Sequence, residues 1–197
     1  MIIYRLELPR NSTTALDFDS MVMANQMKPS SQLSQNELLV KIHRLPYDNV
    51  SVDSLWNGGQ LFFKFNSECL DDFDINVVGT FLFLKFEAYE ILKPLMIEFG
   101  EFLKVKTDRE DLMMFNLMTF AAENTKQTLY KYCDGFEDGL KSLIFNEVDV
   151  KKKSLFKSKL EGGNLIYCNE DFYYLVKKNG FTGITFYTDL VGDHPLK

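Results

Sequence analysis

At 197 residues with a 46% hydrophobic share, the chain is long enough to bury a full core and too apolar to stay disordered. A formal charge of −6 and a pI near 5.0 argue against a dedicated nucleic-acid binder, which carries a basic footprint. The three cysteines, Cys69, Cys133 and Cys168, form no CxxC pair and no metal-ligand spacing, so neither a disulfide framework, a metal site nor a cofactor is expected.

In chain order, residues 2–8 (IIYRLEL) read as an opening strand ended by Pro9. This N-terminus lacks the basic and apolar regions of a secretory signal, which with the cysteine usage points to a cytoplasmic protein. Residues 10–37 are rich in Asn, Ser, Thr, Gln and Met and read as loop. LLVKIHRL (38–45) resembles a second strand, stopped by Pro46, and Gly58–Gly59 reads as a turn. VVGTFLFL (77–84) reads as one continuous buried strand. It lies in the most apolar run, 77–86, which is about half a bilayer span and is broken by Gly79, Thr80 and Lys85, so no membrane association is expected.

A helix follows, with Phe86, Tyr89, Leu92 and Met96 on one side, Pro94 kinking or splitting it and Gly100 closing it. EFLKVK and LMMFNLMTF (112–120) read as strands. Asp134-Gly135 and Asp138-Gly139 are turn signals for a hairpin or meander. Residues 151–159 carry five lysines and no acid, the pattern of a solvated loop or an edge strand.

Residues 164–187, NLIYCNEDFYYLVKKNGFTGITFY, are the most legible stretch. Asn169 is placed to cap a helix, Glu170 and Asp171 suit its first turn, and Lys177 and Lys178 suit its last. Gly180 falls where a left-handed residue is needed, Phe181 can pack back on Val176, and Ile184 and Phe186 alternate as a strand. With 77–106 this makes two strand–helix–strand units, expected to share one sheet. The fold class is therefore α/β or α+β: a mixed sheet flanked by a few helices, in a single domain over 1–197 with a loop-rich part at 1–50.

Motifs for catalysis are missing: there is no HExxH, GxSxG or phosphate-loop pattern. The two histidines, His43 and His194, lie in a predicted strand and a terminal turn. The prominent polar features are two carboxylate clusters, Asp71, Asp72 and Asp74, and Asp134, Glu137 and Asp138. Neither has the regular oxygen-ligand spacing of a calcium or magnesium loop, so they read as solvated turns or as contacts for a basic protein. Acidic side chains outnumber basic ones 13 to 8 over residues 1–100 and only 15 to 14 thereafter, which places the negative field in the first half.

Taken together, several stretches resemble the bacterial immunity protein family numbered eleven of polymorphic toxin systems, once catalogued as a domain of unknown function. The resemblance rests on Trp56, DDFDIN (71–76), the helix ending in LKPL with its following strand, and Phe115–Asn116. It also rests on Phe172, Gly180, Gly183 and Phe186 in the last unit, and it spans about residues 50–190. Cys168 departs from it, standing where a small polar residue is more usual. The resemblance implies a non-enzymatic protein that binds and neutralises a cognate toxin by covering it. The acidic balance suggests a basic toxin such as a nuclease, with the two carboxylate clusters as contacts. The alternative is a small cytosolic enzyme whose site assembles from dispersed Asp or Glu, Tyr and His43. A self-complementary apolar patch would instead mark a homo-oligomer.

Overall fold

The computed structural model describes residues 1–10, 12–56, 59–68 and 72–192. Within them the elements are β1 (Tyr4–Glu7), α1 (Ser20–Met27), α2 (Gln35–Asp48), β2 (Leu61–Phe63), β3 (Ile75–Val78), β4 (Phe81–Leu84), α3 (Phe86–Met96), β5 (Gly100–Thr107) and β6 (Leu112–Leu117). The second half adds β7 (Leu129–Cys133), β8 (Phe136–Ser142), α4 (Glu147–Val150), β9 (Leu155–Phe156), β10 (Ile166–Cys168), α5 (Glu170–Asn179) and β11 (Thr185–Tyr187). The expected mixed α/β architecture is present, built on two main sheets ordered β2-β5-β6-β4-β3 and β11-β1-β10-β9, with β7-β8 as a separate ribbon.

The last unit forms as its residues dictate. The Asn169 side chain accepts from the amides of Asp171 (3.0 Å) and Phe172 (3.2 Å), satisfying donors that a helix start leaves open. At the other end Gly180 takes φ 70°, its amide bonds back to Lys177 O, and Phe181 N bonds to Val176 O. These two bonds are the paired closure of a Schellman motif, which places Phe181 against the core that holds Val176.

The two strand–helix–strand units do not share a sheet. β10 and β11 run parallel with β1 inserted antiparallel between them. β4 and β5 run parallel in the other sheet, with β6 inserted. In each case the place between the paired strands is filled from elsewhere in the chain, so each unit completes its own sheet. Their helices meet instead: Ala88, Leu92 and Met96 of α3 pack with Phe172 and Val176 of α5, among residues of both sheets. On the far face of the five-stranded sheet, α1 and α2 cover Phe81, Phe83 and Met114. On the far face of the four-stranded sheet, Tyr167 and Phe156 pack with Leu140, Leu143 and Phe145 from the ribbon and the chain beyond it.

Four expectations are corrected. Residues 38–45 belong to helix α2, where Leu38, Ile42 and Leu45 are buried at helical spacing and Pro46 falls in the last turn. Residues 10–37 are not simply loop, because Asp19 caps α1 and a Ser34–Glu37 capping box opens α2. The run 77–84 is a hairpin, with Gly79 (φ 59°) and Thr80 turning the chain between Val78 and Phe81. In α3, Ala88, Leu92 and Met96 form the buried stripe and Phe86 is exposed, while the helix passes through Pro94 and ends two residues later.

The lysine run holds a further surprise. Its β9 segment is an edge strand as expected, but Lys157 is fully buried. Its Nζ donates to Pro46 O (2.8 Å) in the last turn of α2 and lies 5.0 Å from the Phe120 ring. That carbonyl is one of the four that a helix end leaves unpaired, at the negative end of the dipole, so it suits a buried cation. Burial still pushes the amine down to about 8. Lys157 thus ties the N-terminal helices to the C-terminal half, and Gly163 closes on the same carbonyl, where a Cβ would lie 2.2 Å from Pro46 O.

Candidate functional site: the acidic hairpin

An Asp-Gly pair supplies positive φ at both central positions of a two-residue hairpin turn, the requirement for matching strand twist. Asp134 (φ 51°) and Gly135 (φ 84°) do this between the paired residues Cys133 and Phe136. The second signal, Asp138-Gly139, is not a turn. It lies within β8, where Gly139 (φ 81°) accompanies shifts in the strand register.

A two-stranded ribbon is marginal alone. This one is held at its foot: Leu140 and Leu143 are buried with Phe145, and Tyr130 packs on the same cluster. Beyond that anchor, residues 132–139 are all exposed. Tyr132 (67%) and Phe136 (78%) are among the most exposed large hydrophobic side chains of the protein. Between and beside them stand Asp134, Glu137 and Asp138, and no basic residue lies in 132–139. Within the described residues none of the three carboxylates makes a hydrogen bond or ion pair, so the tip carries an uncompensated local charge. Exposed aromatic rings rimmed by like charge are the composition of a contact surface.

The other acidic cluster is differently placed. Asp71 lies outside the described residues. Asp72 is exposed but paired with Lys85, whose ammonium holds the carboxyl below its usual range. Asp74 accepts from Thr182 N (2.8 Å) and Thr182 Oγ1 (2.9 Å), tying the start of β3 to the turn after α5. Two of these carboxylates are therefore engaged inside the fold.

His43 sits on α2 rather than in a strand, and its Nε2 is 2.7 Å from Ser20 Oγ at the exposed start of α1. The amides of Met21 and Val22, which could otherwise stabilise an oxyanion beside Ser20, already bond to Asp19. His194 and Cys69 lie outside the described residues. Cys168 is fully buried and its thiol is pushed well up, so it is not a poised nucleophile, while Cys133 is exposed at the hairpin. Among the described residues no three His, Cys, Asp or Glu side chains are grouped to hold a metal, and no helix is long and apolar enough to cross a membrane. A cleft of about 560 Å³ is lined by apolar Ile3, Leu143, Phe145 and Leu190 together with Asn124, Gln127 and Glu147, the last its one charged side chain among the described residues.

Sequence reasoning pointed to the hairpin carboxylates but missed Tyr132 and Phe136. The signal was available, since one ring stands two residues before Asp134 and the other two after. Comparison with known proteins finds no family model that matches the chain and no matching curated protein.

Proposed function

We propose that this protein is a toxin-neutralising immunity protein that acts by stoichiometric binding, with the β7–β8 hairpin as a principal contact. The observation that carries the reading is the hairpin tip, where two exposed rings stand among three carboxylates that have no partner among the described residues, on a ribbon anchored at its foot. The family resemblance over residues 50–190 supports the same reading. Burying Tyr132 and Phe136 against a partner supplies affinity, and the carboxylates select and steer a basic surface such as that of a nuclease. A second copy is a poor occupant, because a symmetric pairing of tips would bring like charges together. On this reading the protein works in the compartment where the toxin strikes, the cytoplasm, and needs no cofactor.

The test is growth rescue in cells expressing a toxin domain encoded beside this gene. Co-expression of the protein is expected to restore growth and to give a stable complex of fixed stoichiometry. Rescue should disappear with D134K/E137K/D138K at unchanged protein level. Rescue that persists at amounts far below the toxin, with no complex, would point to enzymatic removal of the damage instead.

A further inference from the structure

The chain leaving β8 builds the cleft at the foot of the hairpin. Leu143 and Phe145 are buried and form its floor with the partly buried Ile3 and Leu190. The Phe145 ring meets the Phe156 and Tyr167 rings edge-on at 5.0 and 5.1 Å, so the floor is fixed before any ligand arrives. Thr128, the residue before β7, accepts from Ile144 N (3.1 Å) through its Oγ1, so cleft and hairpin share one anchor. At about 560 Å³ the cleft falls in the roughly 300–1,000 Å³ range of sites that hold a ligand.

Its polar groups are few and held by the backbone around them. Asn124 N bonds to Ile144 O (2.7 Å), and Asn124 Nδ2 donates to Gln127 Oε1 (2.6 Å). The second bond engages the Gln127 oxygen and leaves Asn124 Oδ1 as an acceptor on the cleft. Glu147 opens α4 beside its cap, Asn146, whose side chain accepts from Val148 N (2.9 Å). Glu147 is exposed, and among the described residues its carboxylate makes no hydrogen bond or ion pair, even with the α-amino group of Met1, which also borders the cleft. An apolar floor under a single carboxylate disfavours fatty acids and other anions. It suits a side chain with an apolar stem and a positive head. Two acceptors at the rim favour arginine over lysine, because the planar guanidinium presents several donors at once. Ile2 (48%) and Ile144 (40%) stand exposed beside them, an apolar lip to the same cleft.

We propose that this cleft receives an arginine side chain of a protein partner, its stem on Ile3, Phe145 and Leu190 and its guanidinium on Glu147 and Asn124 Oδ1. An apolar residue next to that arginine covers Ile2 and Ile144. The inference rests on the proposed function for the identity of the partner: the basic toxin that meets the hairpin tip is anchored a second time at the foot. A single arginine seated in a preformed pocket is the make-up of a binding hot spot. A second copy is poorly equipped to supply it. Arg5 is buried, Arg44 is paired with Asp48 (2.9 Å) and Arg109 packs on the Phe65 ring (4.5 Å), which leaves Arg10 alone.

The probes are acetyl-Leu-Arg-amide, the same peptide with citrulline for arginine, and acetyl-Leu-Glu-amide, titrated into the isotope-labelled full chain by nuclear magnetic resonance. The methyl signals of Ile3, Leu143 and Leu190 and the side-chain amide signals of Asn124 should shift saturably with the arginine peptide. Citrulline keeps the shape without the charge and should bind about fivefold more weakly, and the acidic peptide should not saturate. Glu147→Gln alters an exposed side chain and should abolish the preference for arginine over citrulline. Equal binding of these two peptides, or a preference that survives Glu147→Gln, would overturn the proposal. Binding seen only in a chain ending at Gly192 would overturn it in favour of residues 193–197 as occupant. Self-association abolished by Glu147→Gln would overturn it in favour of a second copy. The peptide titration needs no toxin, so its outcome is read apart from growth rescue. In a toxin complex that the tip variants weaken, an unchanged dissociation rate for Glu147→Gln would sink the second anchor and leave the proposed function standing.

Discussion

Replacing Lys157 by Met keeps the stem of the side chain and removes its buried charge. At neutral pH the amine is held at about 8 against an ordinary value of 10.5, and this difference corresponds to roughly 3 kcal/mol of destabilisation relative to an unshifted lysine. Opposing this, the variant leaves Pro46 O without the charge-assisted bond it now accepts at 2.8 Å, a loss of about 1.5–3 kcal/mol. The two terms nearly cancel, so at pH 7 the variant should differ from wild type by no more than about 1.5 kcal/mol. Their pH dependence does not cancel. The folded pKa lies below the unfolded one, so between them the unfolded chain binds more protons and wild-type stability rises with pH. The penalty is full below about 8 and gone above 10.5. By pH 9 wild type should therefore gain roughly 1 kcal/mol relative to Lys157→Met. Urea denaturation of both proteins at pH 7 and pH 9 measures this double difference, in which the titration of other groups drops out. Parallel pH profiles, or a gain by the variant, would refute the placement of a buried, charged Lys157 against α2.

Other substitutions probe the frame. Asn169→Ala removes the acceptor for the Asp171 and Phe172 amides and should cost about 1 kcal/mol in urea denaturation, with the helical signal of α5 retained. Gly180→Ala meets no atom within 4 Å but must hold φ 70°, so its cost should also be about 1 kcal/mol, from backbone alone. Gly100→Ala places a Cβ 2.1 Å from Asn116 O and should destabilise by about 2 kcal/mol or more, through separation of β5 and β6. A Gly100→Ala midpoint equal to wild type would show that these strands do not approach so closely.

What the sequence discloses depends on whether its cues are local. The α5 unit was legible because Asn169, Lys177, Lys178 and Gly180 act within one turn of their own position. Residues 38–45 misled because Leu38, Leu39, Val40, Ile42 and Leu45 are dense enough to suggest a strand, and Pro46 suggested a stop. The Ser34–Glu37 box and the spacing of Leu38, Ile42 and Leu45 carried the correct answer. The 77–84 hairpin hid because Phe81 to Leu84 are buried on both faces, so no alternation marks the strand or its turn. The insertion of β1 between β10 and β11 joins residues more than 150 positions apart, and no local pattern records it. Among the candidate contacts, the hairpin turn was legible from Asp134-Gly135. Which carboxylates stand free was not, because the partners of Asp72 and Asp74, Lys85 and Thr182, are brought to them by the fold. The burial of Lys157 within a run of five lysines was hidden for the same reason.

The central claim, that the acidic and aromatic hairpin tip engages a basic toxin, is tested most directly by association kinetics. Wild type, D134K/E137K/D138K and Tyr132→Ala/Phe136→Ala would each be measured against the purified toxin domain at low and high salt. All five side chains altered are exposed and lie beyond the anchored foot, so both variants should keep wild-type stability to within about 0.5 kcal/mol. The account predicts that charge reversal slows association about tenfold or more and flattens its salt dependence, while loss of the two rings mainly speeds dissociation. Unchanged association and dissociation in both variants, with the complex intact, would contradict it.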